Sequence, residues 1–166
     1  MEFRKAVPAD IPDLCALRTL QLIDEGQNPR PDIRPDMEAY FQEVLTRDQL
    51  VEFLAVEGGQ IAATGAVTFL PLPPSFSNPS GLTAYVTNMY TAPAFRGRGL
   101  TSRMLGMLSE ECRQRGVLRM LLSASNQGRG VYLRFGFQPA DNWMELQLSH
   151  SPAPLPDQWG VPDATF

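Results

Sequence analysis

Apolar residues recur along this chain with two different periods, and the alternation between the periods lays out its elements. Leu100, Met104, Met107, Leu108 and Cys112 follow helical spacing, with Ser102, Arg103, Ser109, Glu110 and Arg113 on the opposite side. Ile11, Leu14, Cys15 and Leu22 mark an earlier helix, with Asp10 as its expected N-cap. Met37, Tyr40, Phe41, Val44 and Leu45 mark another, with Asp36 as the expected cap. Between these lie β-rich runs. Glu2 to Val7 reads as a first strand, and Val51–Val56 and Ile61–Leu70 as a hairpin across Gly58-Gly59. Thr83–Thr91 is the strand before the long helix, ended by Pro93, which fixes φ and has no N–H to donate. Gly116 closes the long helix as a C′ glycine. Val117–Ala124, apolar except Arg119, reads as a buried strand. A short helix is expected within Asn126–Phe135, stopped by Gly136, and then a closing hairpin of Phe137 and Trp143–Leu148. Asp24–Pro35 and Pro71–Gly81, rich in proline and polar residues, are loops.

The order is therefore β α α β β β α β α β β. A strand, crossover helix and strand at the centre imply a parallel pair, and the hairpins on either side imply antiparallel pairing. The expected fold class is α/β: one mixed sheet, with a parallel strand pair around the long helix and helices on both faces. Residues 1–149 form one domain and 150–166 a proline-rich tail. The chain has 166 residues, enough for one sizeable core.

Charge narrows the function. A net charge of −4 argues against a nucleic-acid binder with a broad basic surface. It suits a cationic or amine substrate, although a mildly acidic surface is also the ordinary case. No apolar run reaches membrane-spanning length and the N-terminus carries Glu2, so no membrane association and a cytoplasmic location are expected. Cys15 and Cys112 fall on apolar helix faces and read as buried free thiols. The single histidine, His150, cannot build a metal cluster or a Ser-His triad.

Two stretches carry chemistry. Arg96-Gly97-Arg98-Gly99 runs into a helix start at Leu100, Thr101 and Ser102. A glycine-rich turn there presents unpaired N–H groups and the positive end of a helix dipole to an anion such as phosphate. Gly97 and Gly99 let a ligand approach closely, and Arg96 and Arg98 can add charge. A plain left-handed turn with solvated arginines is the competing reading. The second stretch is Asn126 to Phe137, in which Tyr132 could donate a proton from its hydroxyl; a half-buried core tyrosine is the alternative.

Together these stretches resemble the GCN5-related N-acetyltransferase (GNAT) superfamily. Its acyl-CoA motif is Arg or Gln, two residues, Gly, one residue, then Gly or Ala. The motif is matched here by Arg96 to Thr101, with Thr101 in place of the last small residue. Its other mark, an Asn followed by Tyr and then Gly-Phe, is matched by Asn126, Tyr132 and Gly136-Phe137, with the Asn-to-Tyr spacing one residue short. The resemblance implies acetyl-CoA as acyl donor, without a metal, and an amine acceptor attacking directly in a ternary complex. It implies that Met89, Tyr90 and Thr91 pair with pantetheine, that Gly97 to Ser102 hold the pyrophosphate and that Asn126 lies near the pantetheine arm. It also implies that Tyr132 protonates the departing thiolate. Some members carry a basic glutamate on the strand after the long helix, but Val117–Ala124 has no carboxylate. Asp24, Glu25, Asp32 and Asp141 are loop alternatives, and proton loss to water is the expected route. The acceptor side is expected from both loops with Tyr85 and Trp143, and Phe76 as a lid aromatic. Two other functions stay open: a non-catalytic acyl-CoA sensor, and a longer or acidic acyl donor. Assembly also stays open, a homodimer included, with Trp159 in the tail as one docking residue.

Overall fold

A computed structural model describes residues 1–140 and 143–146. The elements are β1 (Glu2–Lys5), α1 (Ile11–Asp24), α2 (Arg34–Thr46), β2 (Leu50–Glu57), β3 (Gln60–Pro71), β4 (Leu82–Thr91), α3 (Leu100–Gln114), β5 (Met120–Leu121) and α4 (Arg129–Phe135). The sheet runs in the order β1-β2-β3-β4-β5. The first four strands pair antiparallel and β5 joins β4 in parallel, so the sheet is mixed as its crossover helix α3 requires.

The period-2 pattern assigns the two faces. Val51, Phe53, Ala55, Val67, Ala84 and Val86 pack with the α3 stripe of Leu100, Met104, Leu105, Leu108 and Cys112. Leu54 on the other face meets Ile11, Leu14 and Cys15 of α1 and Met37 and Phe41 of α2, while Leu50 and Ala66 meet Val44. Each Leu, Phe or Met side chain so buried contributes about 1.5–3 kcal/mol before entropy is charged against it. Cys15 and Cys112 are free buried thiols, and burial raises both pKa values, that of Cys112 to about 11.

Local details depart from the sequence reading where side chains find partners elsewhere. The first strand stops at Lys5 because Asp10 closes a 3₁₀ turn by accepting from the Val7 N–H at 2.8 Å and pairing with Arg4 at 2.7 and 2.8 Å. Asp10 does occupy the N-cap of α1, but its side chain makes no cap bond. Helix α2 begins at Arg34, with Ile33 at the cap and Asp36 inside the first turn. Ser109, expected on the polar side of α3, is buried and its hydroxyl donates to the Met120 sulfur at 3.5 Å.

The strand expected over Val117–Ala124 is the largest correction: among the described residues only Met120 and Leu121 pair, and Leu118 is 70% exposed. Among the described residues it has one neighbour strand and lies opposite only Ala84 and Tyr85 of β4. Phe137 and residues 143–146 adopt no regular structure, and Gln147 and Leu148 of the expected hairpin, Asp141, His150, Trp159 and the tail 150–166 lie outside the described residues. No helix among the described residues is long and apolar enough to cross a membrane.

Candidate active site

The early divergence of β4 and β5 opens the site. The strands are together at Ala84–Met120 and Tyr85–Leu121, and the Ala84 N–H donates to the Arg119 carbonyl at 3.1 Å. Beyond that point the β5-side edge of β4, from Val86 to Thr91, has no strand partner among the described residues. Unpaired strand edge offers main-chain donors and acceptors to an extended ligand.

β4 also bulges here. Thr64 pairs with Tyr90 and Ala66 with Thr87, so Asn88 and Met89 oppose the single residue Gly65. Asn88 takes a left-handed conformation, φ 53°, which asparagine tolerates better than most residues. A Cβ on Gly65 would lie 2.6 Å from the Met89 sulfur, so glycine makes room for the bulge. Within the bulge Met89 packs against the α3-side core, and just past it Tyr90 is buried.

The end of β4 runs into the turn at residues 96–99. Gly97 and Gly99 both have φ 75°, and a Cβ at either would meet nothing within 4 Å. Glycine is needed there for the left-handed backbone, the turn that the sequence offered beside close approach of a ligand. Gly99 is the N-cap of α3, and its carbonyl accepts from the Arg103 N–H at 3.1 Å. The N–H groups of residues 97–102 have no protein acceptor among the described residues, the arrangement an anion needs. Leu100 contributes its amide there while its side chain is buried in the core. The Thr101 hydroxyl lies 3.4 Å from that of Thr91, tying the first turn of α3 to β4.

Both arginines of the turn are engaged. Arg96 donates through Nε to the Thr91 carbonyl at 3.0 Å and pairs with Asp24 at the end of α1. Arg98 makes a two-pronged pair with Glu57, at 2.8 and 2.9 Å, and lies 5.4 Å from the Phe95 ring centroid. They brace the turn against α1 and β2, and the charge they lend an anion is shared with these carboxylates.

Tyr132 sits mid-way along α4, half-buried against the α3-side core, with its ring edge-on to Phe137 at 5.9 Å. Burial, and then the charge of Glu25, raise its pKa, so the phenol holds its proton at neutral pH. Gly128 lies against this ring, and a Cβ there would come within 2.8 Å of Cε2. Gly136 ends α4 with φ 118°. Asn126 is exposed in the turn that precedes α4. Of the loop carboxylates, Asp24 holds Arg96, Glu25 accepts from Gln21 at 3.0 Å and Asp32 accepts from the Arg34 N–H at 3.0 Å. Phe76 is fully exposed, and Tyr85 and Trp143 are also exposed.

The sequence reading missed Glu52, Gly65 and Asn88. Glu52 is 2% exposed, accepts from the Thr64 hydroxyl at 2.6 Å through Oε1 and from Asn88 Nδ2 at 3.1 Å through Oε2. Burial pushes its pKa up to about 7, against the opposing effect of those two bonds and of Arg18. Its signal was visible: one carboxylate inside the apolar run Leu50 to Val56. Among the described residues no cluster of His, Cys, Asp or Glu could hold a metal ion.

A mixed sheet that splits at its parallel pair, beside an amide-lined helix start, defines the GNAT fold class. The family model of the acetyltransferase (GNAT) family matches residues 17–137, and the chain belongs to that family. A crystal structure of a predicted acetyltransferase with acetyl-CoA from Clostridium acetobutylicum superposes with a TM-score of 0.88 at 43% identity, covering 90% of this chain and 99% of that one. A GCN5-related N-acetyltransferase from Ralstonia eutropha shares the fold at a TM-score of 0.81 and 21% identity, over 88% and 97% of the two chains. Glucosamine 6-phosphate N-acetyltransferase 1 of Oryza sativa subsp. japonica is 31% identical over 116 residues, 66% of this chain and 67% of that protein.

Proposed function

We propose that this acetyltransferase moves an acetyl group from acetyl-CoA to a primary amine of a small molecule or peptide by direct attack in a ternary complex. The observation that carries the reading is the continuity of the site: the edge of β4 from Val86 to Thr91, without a strand partner among the described residues, leads into the amides of residues 97–102, which have no protein acceptor among them. A pantetheine arm suits the first and a pyrophosphate the second. When bound, acetyl-CoA supplies the activated acyl group as a thioester.

The chain's own residues supply orientation and protons. The backbone of Met89, Tyr90 and Thr91 faces the acyl end of the cleft, where N–H donors stabilise negative charge on a carbonyl oxygen. Thr101 and Ser102 present amides to the pyrophosphate, and Asn126 borders the arm. Tyr132, protonated at neutral pH, donates to the departing sulfur. Bringing amine and thioester together in one cleft removes the need for an enzyme nucleophile.

The rice relative's name gives an amino sugar phosphate as its acceptor, which supports an amine here and places glucosamine 6-phosphate in the test panel. The experiment incubates the protein with acetyl-CoA and a panel of amines, amino sugars and peptide N-termini, following free thiol. Amine-dependent thiol release is expected with at least one class. Acetyl-CoA binding without release across the panel would leave a binding domain in place of an enzyme.

A further inference from the structure

Glu52 is a buried carboxylate without an ion pair among the described residues, bonded only to neutral donors. Burying charge in this way is costly, and a purely structural position could be filled by a neutral residue. Its place in the sheet is informative. Glu52 pairs with Ala66 and Ala66 with Thr87, across the three strands just before the bulge. The Asn88 side chain is committed in both directions: Nδ2 donates to Glu52, and Oδ1 accepts from the Thr87 hydroxyl at 3.3 Å. Asn88 is also the residue whose left-handed backbone makes the bulge.

We propose that Glu52 is a positioning residue for acyl transfer: its carboxylate holds the Asn88 side chain and, through it, the bulge that aims the β4 backbone into the acyl cleft. The proposal rests on the acetyl-transfer reading above. An ionised carboxylate offers Asn88 an acceptor at all times. Once protonated it carries one O–H that must itself donate, and the bond from Asn88 or from Thr64 weakens. Thr64 of β3, Asn88 of β4 and Arg18 of α1 act on the Glu52 carboxylate. From α1, Arg18 favours the ionised form, and Cys15 lies close enough to feel the Glu52 charge. On α2, Arg34 and Glu38 act on Cys15. Arg4 of β1 is bonded to Asp10, and the polar groups around Glu52 on β3 and β4 are Thr64 and Asn88, with Thr87 bonded to Asn88.

Two measurements test this. Backbone amide ¹⁵N shifts of Asn88, Met89 and Tyr90 are followed from pH 5.5 to 8.5 in the protein without ligand. They should titrate together with a midpoint near 7 in wild type, and not at all in Glu52→Gln. Thr64→Val, which removes a donor that favours the ionised form, should move the midpoint upward and leave Asn88 untouched. In the thiol-release assay at saturating amine, kcat should fall on the acid side with the same midpoint, shift upward in Thr64→Val and lose that limb in Glu52→Gln. Glu52→Gln and Asn88→Ala should each lower kcat by about tenfold at pH 8, with KM for acetyl-CoA little changed, and the double variant should be no worse than either. Amides that do not titrate, an unchanged kcat profile in Thr64→Val, or additive losses in the double variant would each overturn the proposal. Titrating amides in a protein that releases no thiol with any amine would refute the transferase reading and leave the Glu52–Asn88 coupling standing.

Discussion

Replacing Glu52 by glutamine should change how the stability of the fold responds to pH. The side chain is 2% exposed, and burial raises its pKa from 4.5 to about 7. A difference of about 2.5 pH units, at about 1.4 kcal/mol each, amounts to a cost on the order of 3 kcal/mol for keeping the group ionised in the folded state. The direction follows from proton linkage. Between these two values the folded protein holds the proton and the unfolded chain has lost it. The Glu52 contribution to wild-type stability therefore falls as pH rises from 4.5 and levels off above about 7. Glutamine is neutral throughout and accepts from Thr64 as glutamate does, while Asn88 must turn its amide to accept from it. That rearrangement costs about 1 kcal/mol at every pH and offsets the curve without tilting it. Urea unfolding of both proteins at five pH values between 5 and 9 measures the difference, and all other titrating groups cancel in it. The stability of Glu52→Gln relative to wild type should rise by about 2–3 kcal/mol between pH 5 and 8.5 and then stay flat. A pH-independent difference would refute the reasoning, because it would mean that Glu52 titrates alike in both states.

Further outcomes follow from the site. Acetyl-CoA should raise the Tm of wild type by mass action, and Gly99→Glu should abolish the shift by putting bulk and like charge among the amides of residues 97–102, while an undiminished shift in a folded variant would place the ligand elsewhere. Tyr132→Phe should lower kcat by about 10²-fold with acetyl-CoA affinity retained, a loss that steady-state kinetics would separate from a binding defect. Gly128→Ala suits a backbone already at φ −80° but pushes on the half-buried Tyr132 ring, so kcat should drop and urea unfolding should show a loss of about 1–2 kcal/mol. Asp24→Asn releases one tie on Arg96 and should raise KM for acetyl-CoA more than it lowers kcat, whereas a collapse of kcat alone would make Asp24 the base.

The elements that place the cofactor site could be read from local sequence, because their causes are local. Gly97, Gly99 and Gly116 mark left-handed backbone whatever surrounds them, and the stripe from Leu100 to Cys112 sets which side of α3 is buried. The glycines at 58 and 59 likewise fix the hairpin, both having positive φ. What depended on partners far along the chain could not be read in this way. Residues 117–124 have the composition of an interior strand, yet strand length is set by the neighbour, and among the described residues only Ala84 and Tyr85 of β4 pair with them. Arg96 and Arg98 looked free beside the turn, but Asp24 and Glu57 reach them from other elements. Glu52 was one acid in an apolar run, and the loop carboxylates drew attention instead. Only the packing of β2, β3 and β4 into one sheet brings its oxygens to Thr64 and to Asn88, 36 positions away, and raises its pKa. Glycine-marked turns and the apolar stripes of the helices are properties of short stretches, and the sequence alone determined them. Desolvation and hydrogen-bond partnership are properties of a place in three dimensions, and the tertiary structure alone decided those.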